Sequence, residues 1–207
     1  NAGADSIVAH LREDRRHIQD RDIAALKKRL MIKLNIEASL DPGVVRHILR
    51  VIPDTVTFVP ERRQERTTEA GLNVLKYKRK LSQTIHKLKK KKIEVSLFVD
   101  PVRKQIQAAK DLGVEAVEIH TGKYAISKTA SAQEKNAEHI QRAADIALGL
   151  GLQTHVGHGL DYDNVSRIAK IQGLSEFNIG FGIIARAVFD GLDKAVRDMH
   201  QLIKAPN

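Results

Sequence analysis

Strand-like and helix-like runs alternate along this chain with no linker between them, and that alternation limits the fold more than any other feature. Apolar runs at Ser6–His10, Ile32–Glu37, Thr55–Val59, Ile93–Val99, Ala116–His120, Leu152–Gly157 and Phe177–Gly180 predict seven strands. Helical patterns lie between them: Asp20–Arg29, a helix from the Asp41-Pro42 cap to about Val51, a long one after Gly71, Pro101–Leu112, Ser131–Leu150, Asp161–Ile171 and Ala185–Lys204. A repeated βα unit builds a parallel sheet with helices packed on it. A repeat of about 25–30 residues suits a (β/α)8 barrel, which spans about 250 residues. The expectation is an α/β fold of the TIM type, with seven of eight strands present. Residues 1–207 would form one barrel domain lacking its first βα unit. The opening Asn-Ala-Gly-Ala-Asp does not begin with Met and reads as the end of a preceding helix, so upstream residues are expected. The runner-up, a doubly wound open sheet, would place a glycine-rich turn after its first strand; none follows His10.

Chemistry concentrates where the predicted strands end. The run Ile7-Val8-Ala9 stops in a dense polar cluster of His10, Arg12, Glu13, Asp14, Arg15, Arg16 and His17. Its arginines and histidines suit an anionic, phosphorylated ligand; a solvated loop leading into a helix is the competing reading. In Lys33-Leu34-Asn35-Ile36-Glu37, the apolar residues alternate with the polar ones, and Ala116–His120 repeats the pattern. In a barrel, Leu34, Ile36, Val117 and Ile119 would pack on helices, while Glu37, Glu118 and His120 would face the lumen. His10, Glu37 and Glu118 then meet at one mouth. A lone inward carboxylate reads equally as half of a salt bridge, but two carboxylates with an imidazole favour catalysis.

Two glycine turns close the chain's last quarter, Gly157-His158-Gly159 and Asn178-Ile179-Gly180-Phe181-Gly182. Each follows a predicted strand. Small residues there let backbone N–H groups approach an anion, and the next helix adds its dipole. Residues 60–71, PERRQERTTEAG, are charged and aperiodic, and long enough for either a lid or a plain solvated loop.

Composition narrows the partners. The net charge of +10 would suit nucleic acid, yet residues 76–92 alone hold nine Lys/Arg and no acid, leaving 26 basic against 25 acidic residues elsewhere. Leu81, Ile85 and Leu88 recur at helical spacing inside that run, which reads as the solvated outer face of a helix. No nucleic-acid partner is expected. The chain has no Cys, so it offers no disulfide and no thiolate metal site or nucleophile. No stretch nears the roughly 18 apolar residues of a membrane span, and no signal-peptide pattern opens the chain; a cytoplasmic protein without a membrane partner is expected.

With these pieces placed, the chain resembles the pyridoxine 5′-phosphate synthase family of vitamin B6 biosynthesis. The motifs are HLREDRRHIQDRD (10–22), LNIEA (34–38), VPERRQERTTEAG (59–71), VSLFVD (95–100), VEIHTGKYA (117–125), GHGLDYDN (157–164) and FNIGFGIIARAV (177–188). The resemblance implies a TIM-barrel transferase that joins 1-deoxy-D-xylulose 5-phosphate to 3-amino-2-oxopropyl phosphate, with loss of water and phosphate. It implies no metal or organic cofactor, and a homo-oligomer, octamers included. His10 and Glu37 match the family's proton acceptors, His158 its proton donor, and Glu118 a carboxylate that stabilises a transition state. Arg12, His17 and Thr67 match the deoxyxylulose phosphate site; Gly159, Gly180 and position 181 match the cradle for the aminoketone phosphate. Three departures stand out. The family's first-strand Asn-x-Asp-His cluster is not in these 207 residues; Phe181 stands where His is usual; His155 and Val156 stand where Asn and Ala are usual, with His155 read as a local substitution. The competing functions are another phosphosugar barrel enzyme, such as an epimerase or a lysine-dependent aldolase with Lys33 as the one inward lysine, and a non-catalytic remnant or binding protein.

Overall fold

The computed structural model describes residues 2–61 and 70–204. Seven strands run in chain order: β1 (Ser6–Leu11), β2 (Lys33–Ala38), β3 (Thr55–Phe58), β4 (Glu94–Val99), β5 (Ala116–His120), β6 (Gln153–Gly157) and β7 (Leu174–Asn178). Every strand pairs in parallel with its neighbour in sequence, giving the order β1-β2-β3-β4-β5-β6-β7. A doubly wound sheet reverses its order at a switch point; this one never does. Strands lie about 4.8 Å apart, so a flat sheet would hold β1 and β6 about 24 Å from each other. Instead the charge of His158, just after β6, is felt at His10 on β1. The sheet is therefore a curled half-barrel, with β1 and β7 at its two ends.

Helices α1 (Asp20–Arg29), α2 (Pro42–Val51), α3 (Val74–Lys89), α4 (Arg103–Asp111), α5 (Gly122–Ala125), α6 (Ala130–Gly149), α7 (Val165–Ala169), α8 (Phe181–Asp190) and α9 (Leu192–Lys204) connect the strands. Local chemistry explains their starts. Asp41 accepts from the N–H groups of Gly43 (2.7 Å) and Val44 (3.0 Å), and Pro42 presets the first turn. Asn73 caps α3 through the Lys76 N–H at 3.0 Å, and Thr129 caps α6 through Ala132 at 3.2 Å. In α3, Leu81, Ile85 and Leu88 are buried while the lysines around them are exposed, so the basic run is a solvated outer face. Among the described residues no helix is long and apolar enough to cross a membrane.

The strand parity follows the sequence. Leu34, Ile36, Val56, Val95, Leu97, Val117, Ile119 and Val156 are fully buried in one core with Ile23, Val44, Ile48, Leu81, Leu88, Ile106, Ile140 and Ile168 from the helices. At about 25 cal/mol per Å2 of apolar surface, each such side chain contributes about 1.5–3 kcal/mol, and this outer layer is the main source of stability. The opposite parity is polar: Thr57 donates to Asn35 at 3.1 Å inside the lumen.

Three expectations need adjustment. The seventh strand is earlier than Phe177–Gly180: it ends at Asn178, because Gly180 already caps α8. The single helix expected over Ala185–Lys204 is two, α8 and α9, meeting at Gly191 with φ 81°. The short α5 went unpredicted, since four residues carry no periodicity.

Candidate active site

The C-terminal ends of the strands bring the expected side chains together. Register pairs His10 with Glu37 across β1 and β2, and His10 Nδ1 lies 3.7 Å from Glu37 Oε2. Glu118, on β5, is 1% exposed and accepts from Asn178 Nδ2 on β7 at 2.8 Å. Gly157 makes room for it: a Cβ there would meet Glu118 Oε1 at 2.0 Å. His158 follows β6 with φ 77°, a backbone setting that side chains other than Gly seldom adopt. Its ring stands 4.9 Å from Phe98 of β4. Nε2 of His10 and Nε2 of His158 are both buried and make no hydrogen bond among the described residues.

Burial sets the protonation states. It pushes His10 down to about 4, helped by the positive charges of Arg12, His17 and His158. It pushes His158 down to about 4, helped by His120. Glu37 is raised to about 7 by burial. Glu118 is raised well above the usual carboxylate range by burial and by the charge of Glu37, against the Asn178 hydrogen bond. At neutral pH His10 and His158 are thus neutral and Glu37 is near its midpoint, while Glu118 is shifted toward its protonated form.

Around this centre the cationic turn is tightly braced. Arg12 is 3% exposed; its Nη2 lies 3.4 Å from Glu61 Oε1 and its Nε 3.5 Å from Asp14 Oδ1. Glu61 also accepts from the Glu13 N–H at 3.0 Å and approaches His10 Nε2 to 3.7 Å. Glu13 in turn accepts from Ser39 at 2.6 Å. Arg16 donates to Asp14, which holds that carboxyl down to about 2. The His17 and His10 rings are 6.1 Å apart. Thr67 and most of the 60–71 segment, expected as either a lid or a solvated loop, lie outside the described residues.

The two glycine turns are neighbours. A Cβ on Gly182 would meet Leu160 O at 3.0 Å, so the turn after β7 packs on the turn after β6. Gly159 is left-handed at φ 76°, and Gly180 caps α8 with open space around its α-carbon. The first N–H groups of a helix have no partner within it, which leaves those of α8 available to an anion. Phe181 begins α8 with its side chain 89% exposed, which leaves its backbone N–H as the group it offers within the turn. Among the described residues no three His, Asp or Glu side chains gather as a metal-ligand set.

Two further inward residues are Lys33 and His155. Lys33 starts β2, at the opposite end of the half-barrel, and sits 3.9 Å from Glu94 with its side chain 65% exposed; it cannot reach the mouth as a Schiff-base lysine. His155 is buried in the lumen beside Glu118 in the β5–β6 register, with Nδ1 3.9 Å from Glu176 Oε1.

Sequence reasoning set His120 facing the lumen without giving it a role, and passed over three residues that the fold adds to the mouth: Glu61, Asn178 and Asp100. His120 Nδ1 lies 3.1 Å from Asp100 Oδ1. The signal for this pair was available. Phe98 pairs with Glu118, so continuing that register sets Asp100 opposite His120.

The model of the family described as "Pyridoxal phosphate biosynthesis protein PdxJ" matches residues 1–205. A protein of Thermodesulfovibrio yellowstonii named pyridoxine 5′-phosphate synthase is 50% identical over 202 residues, covering 98% of this chain and 83% of the relative. Proteins of the same name from a Synechococcus species and from Geobacter sulfurreducens are each 48% identical, over 97% and 98% of this chain and 84% and 85% of their own lengths. Among solved structures, the tryptophan synthase A-subunit of Pyrococcus furiosus aligns with TM-score 0.61 at 12% identity, over 87% of this chain and 71% of that one. Phosphoribosylanthranilate isomerase of Thermotoga maritima aligns with TM-score 0.61 at 11% identity, over 99% and 90%. Those two likenesses speak to the fold alone. The near full-length family match and the relatives close to half identical settle descent: this chain belongs to the PdxJ family of pyridoxal phosphate biosynthesis proteins.

Proposed function

We infer that this chain catalyses the pyridoxine 5′-phosphate synthase reaction, joining 1-deoxy-D-xylulose 5-phosphate to 3-amino-2-oxopropyl phosphate and closing the pyridine ring with loss of water and phosphate. The observation that carries the reading is the convergence of His10, Glu37, Glu118 and His158 on one mouth in a chain of this family. Condensation, dehydration and aromatisation each move protons, and a positioned acid or base contributes about 10²–10⁴ per step. His10, neutral at rest, takes protons. Glu37, near its midpoint at neutral pH, also takes them in its ionised form. Burial shifts Glu118 toward its protonated form, which can donate to developing negative charge.

His158 is the proton donor in this reading, and its low resting value of about 4 leaves it without a proton to give. The substrates correct this. Each phosphoester brings about −1.5 to −2 charge at pH 7, and negative charge favours imidazolium. Arg12, His17 and Thr67 hold the deoxyxylulose phosphate. Gly159, Gly180 and the backbone of Phe181 hold the aminoketone phosphate at the N-terminus of α8. Fixing both phosphates fixes the amine and the carbonyl carbon that must meet, which is where positioning contributes most. A cytoplasmic homo-oligomer belongs to the same reading.

The test is direct. The purified chain is incubated with both substrates, and pyridoxine 5′-phosphate is followed by chromatography alongside released inorganic phosphate. Product that requires both substrates supports the assignment. Intact substrates after prolonged incubation with folded protein would refute it.

A further inference from the structure

Building on the reading of His158 as proton donor, we propose that His120 is a positioning residue for His158, and that Asp100 holds it in that role. The three residues come from different strands. Asp100 follows β4, His120 ends β5 and His158 follows β6. His120 is 7% exposed. Its Nδ1 lies 3.1 Å from Asp100 Oδ1, and that hydrogen bond holds the Asp100 carboxyl below its ordinary range. A carboxylate only accepts, so Nδ1 carries the proton and the ring is locked in one orientation.

The locked ring bears on His158. The His120 and His158 centroids are 5.5 Å apart with the planes at 70°, an edge-on contact. Phe98 touches both rings at 4.9 Å. The next residue grips the backbone of the same segment: Thr121 Oγ1 stands 2.6 Å from the carbonyl oxygens of both Gly157 and His158. The unusual φ of 77° at His158 is therefore held by the end of β5, through a ring on its side chain and a hydroxyl on its backbone.

This contact also has an electrical consequence. A positive charge on His120 opposes one on His158, adding to burial in keeping His158 neutral at rest. The titratable and charged groups on the surrounding elements are His10 of β1, Glu37 of β2, Asp100 after β4, Glu118 and His120 of β5, Lys123 of α5 and Glu176 of β7. Of these, His120 is the one whose charge depresses His158. His120 thus adds to burial in disfavouring a proton on His158.

The experiment titrates the His158 ring by NMR in the full chain and measures the pH profile of kcat. In His120→Asn the His158 midpoint rises above about 4 but stays below the free value because burial remains, the alkaline limb of kcat moves up with it, and kcat falls about tenfold at unchanged KM. Asp100→Ala, which frees the His120 ring, reproduces the shift if His120→Asn folds poorly. Asp100→Asn keeps an oxygen to accept the Nδ1–H, so it holds the ring in place and keeps kcat close to wild type, which Asp100→Ala does not. A midpoint that stays near 4 in both His120→Asn and Asp100→Ala overturns the proposal. A separate variant tests the underlying reading: His158→Asn with wild-type kcat would remove His158 as donor, while the wild-type titration still reports whether His120 acts on it.

Discussion

Replacing Glu37 with Gln should abolish catalysis and, at alkaline pH, make the protein more stable. Glu37 titrates near 7 in the folded chain against 4.5 for an ordinary glutamate, because burial disfavours its anion. The folded state therefore holds this proton more tightly than the unfolded one. The sign follows: the relative stability is fully present below about pH 4.5 and is lost as pH rises through 7. The gap between 4.5 and about 7 corresponds to about 3 kcal/mol. Glutamine has the shape of the protonated acid and no charge to desolvate. Glu37 makes no hydrogen bond to His10, its nearest ionic neighbour at 3.7 Å, that the amide would forfeit. At pH 9 the variant should exceed the parent by up to about 3 kcal/mol, a rise of about 6–12 °C in Tm for a chain of this size. At pH 4.5 the two should coincide. Urea melts at both pH values, with product formation measured alongside, provide the assay. The reasoning fails if the difference does not depend on pH, or if Glu37→Gln is less stable at pH 9. Full turnover by the variant would remove Glu37 from the chemistry. The expected trade, higher stability for lost activity, is the usual signature of a strained functional group.

Arg12→Ala removes a buried guanidinium from the proposed deoxyxylulose phosphate site, and a charge-assisted contact is worth about 1.5–3 kcal/mol. KM for that substrate should rise about 10- to 100-fold in initial-rate kinetics; an unchanged KM would place the phosphate elsewhere. Gly157→Ala forces a methyl group against Glu118, since a Cβ at that position would stand only 2.0 Å from Oε1. A loss of about 1–3 kcal/mol in denaturant melts should accompany a drop in kcat, and wild-type values for both would show that Glu118 can stand aside at no cost. Phe181→Ala should leave KM for the aminoketone phosphate unchanged, because the exposed phenyl ring contributes no contact to the cradle; a clear rise would mean that the side chain takes part.

Much of this architecture was legible in the residues. Strand parity at Lys33–Glu37 and Ala116–His120 was readable because an inward polar set and an outward apolar set cannot exchange without burying charge. Asp41-Pro42 marked the start of α2 because cap and first turn are local chemistry. The seventh strand and the last helix were harder. Ile179 and Gly180 look like strand until the cap of α8 claims them, and one amphipathic pattern runs across the break at Gly191. In the site, His10, Glu37, Glu118 and His158 could be placed from strand ends and the resemblance together. Glu61 and Asn178 could not, since their contacts span 48 residues to Glu13 and 60 to Glu118, and no spacing rule reaches that far. His120 is the intermediate case: its partner is 20 residues away, one strand over, and visible only once the β4–β5 register is known.

The uninterrupted strand order bears on how the chain assembles. Every hydrogen-bonded ladder among the described residues joins segments adjacent along the polypeptide, so each of these pairings can form without waiting for a distant partner. Loop closures stay short, and their entropic cost is met one repeat at a time. Each new βα segment emerging from the ribosome can dock on the one before it. The acid–base cluster is different: His10 lies near the start of the chain and His158 three quarters of the way along, so chemical competence arrives only after most of the scaffold has been laid down.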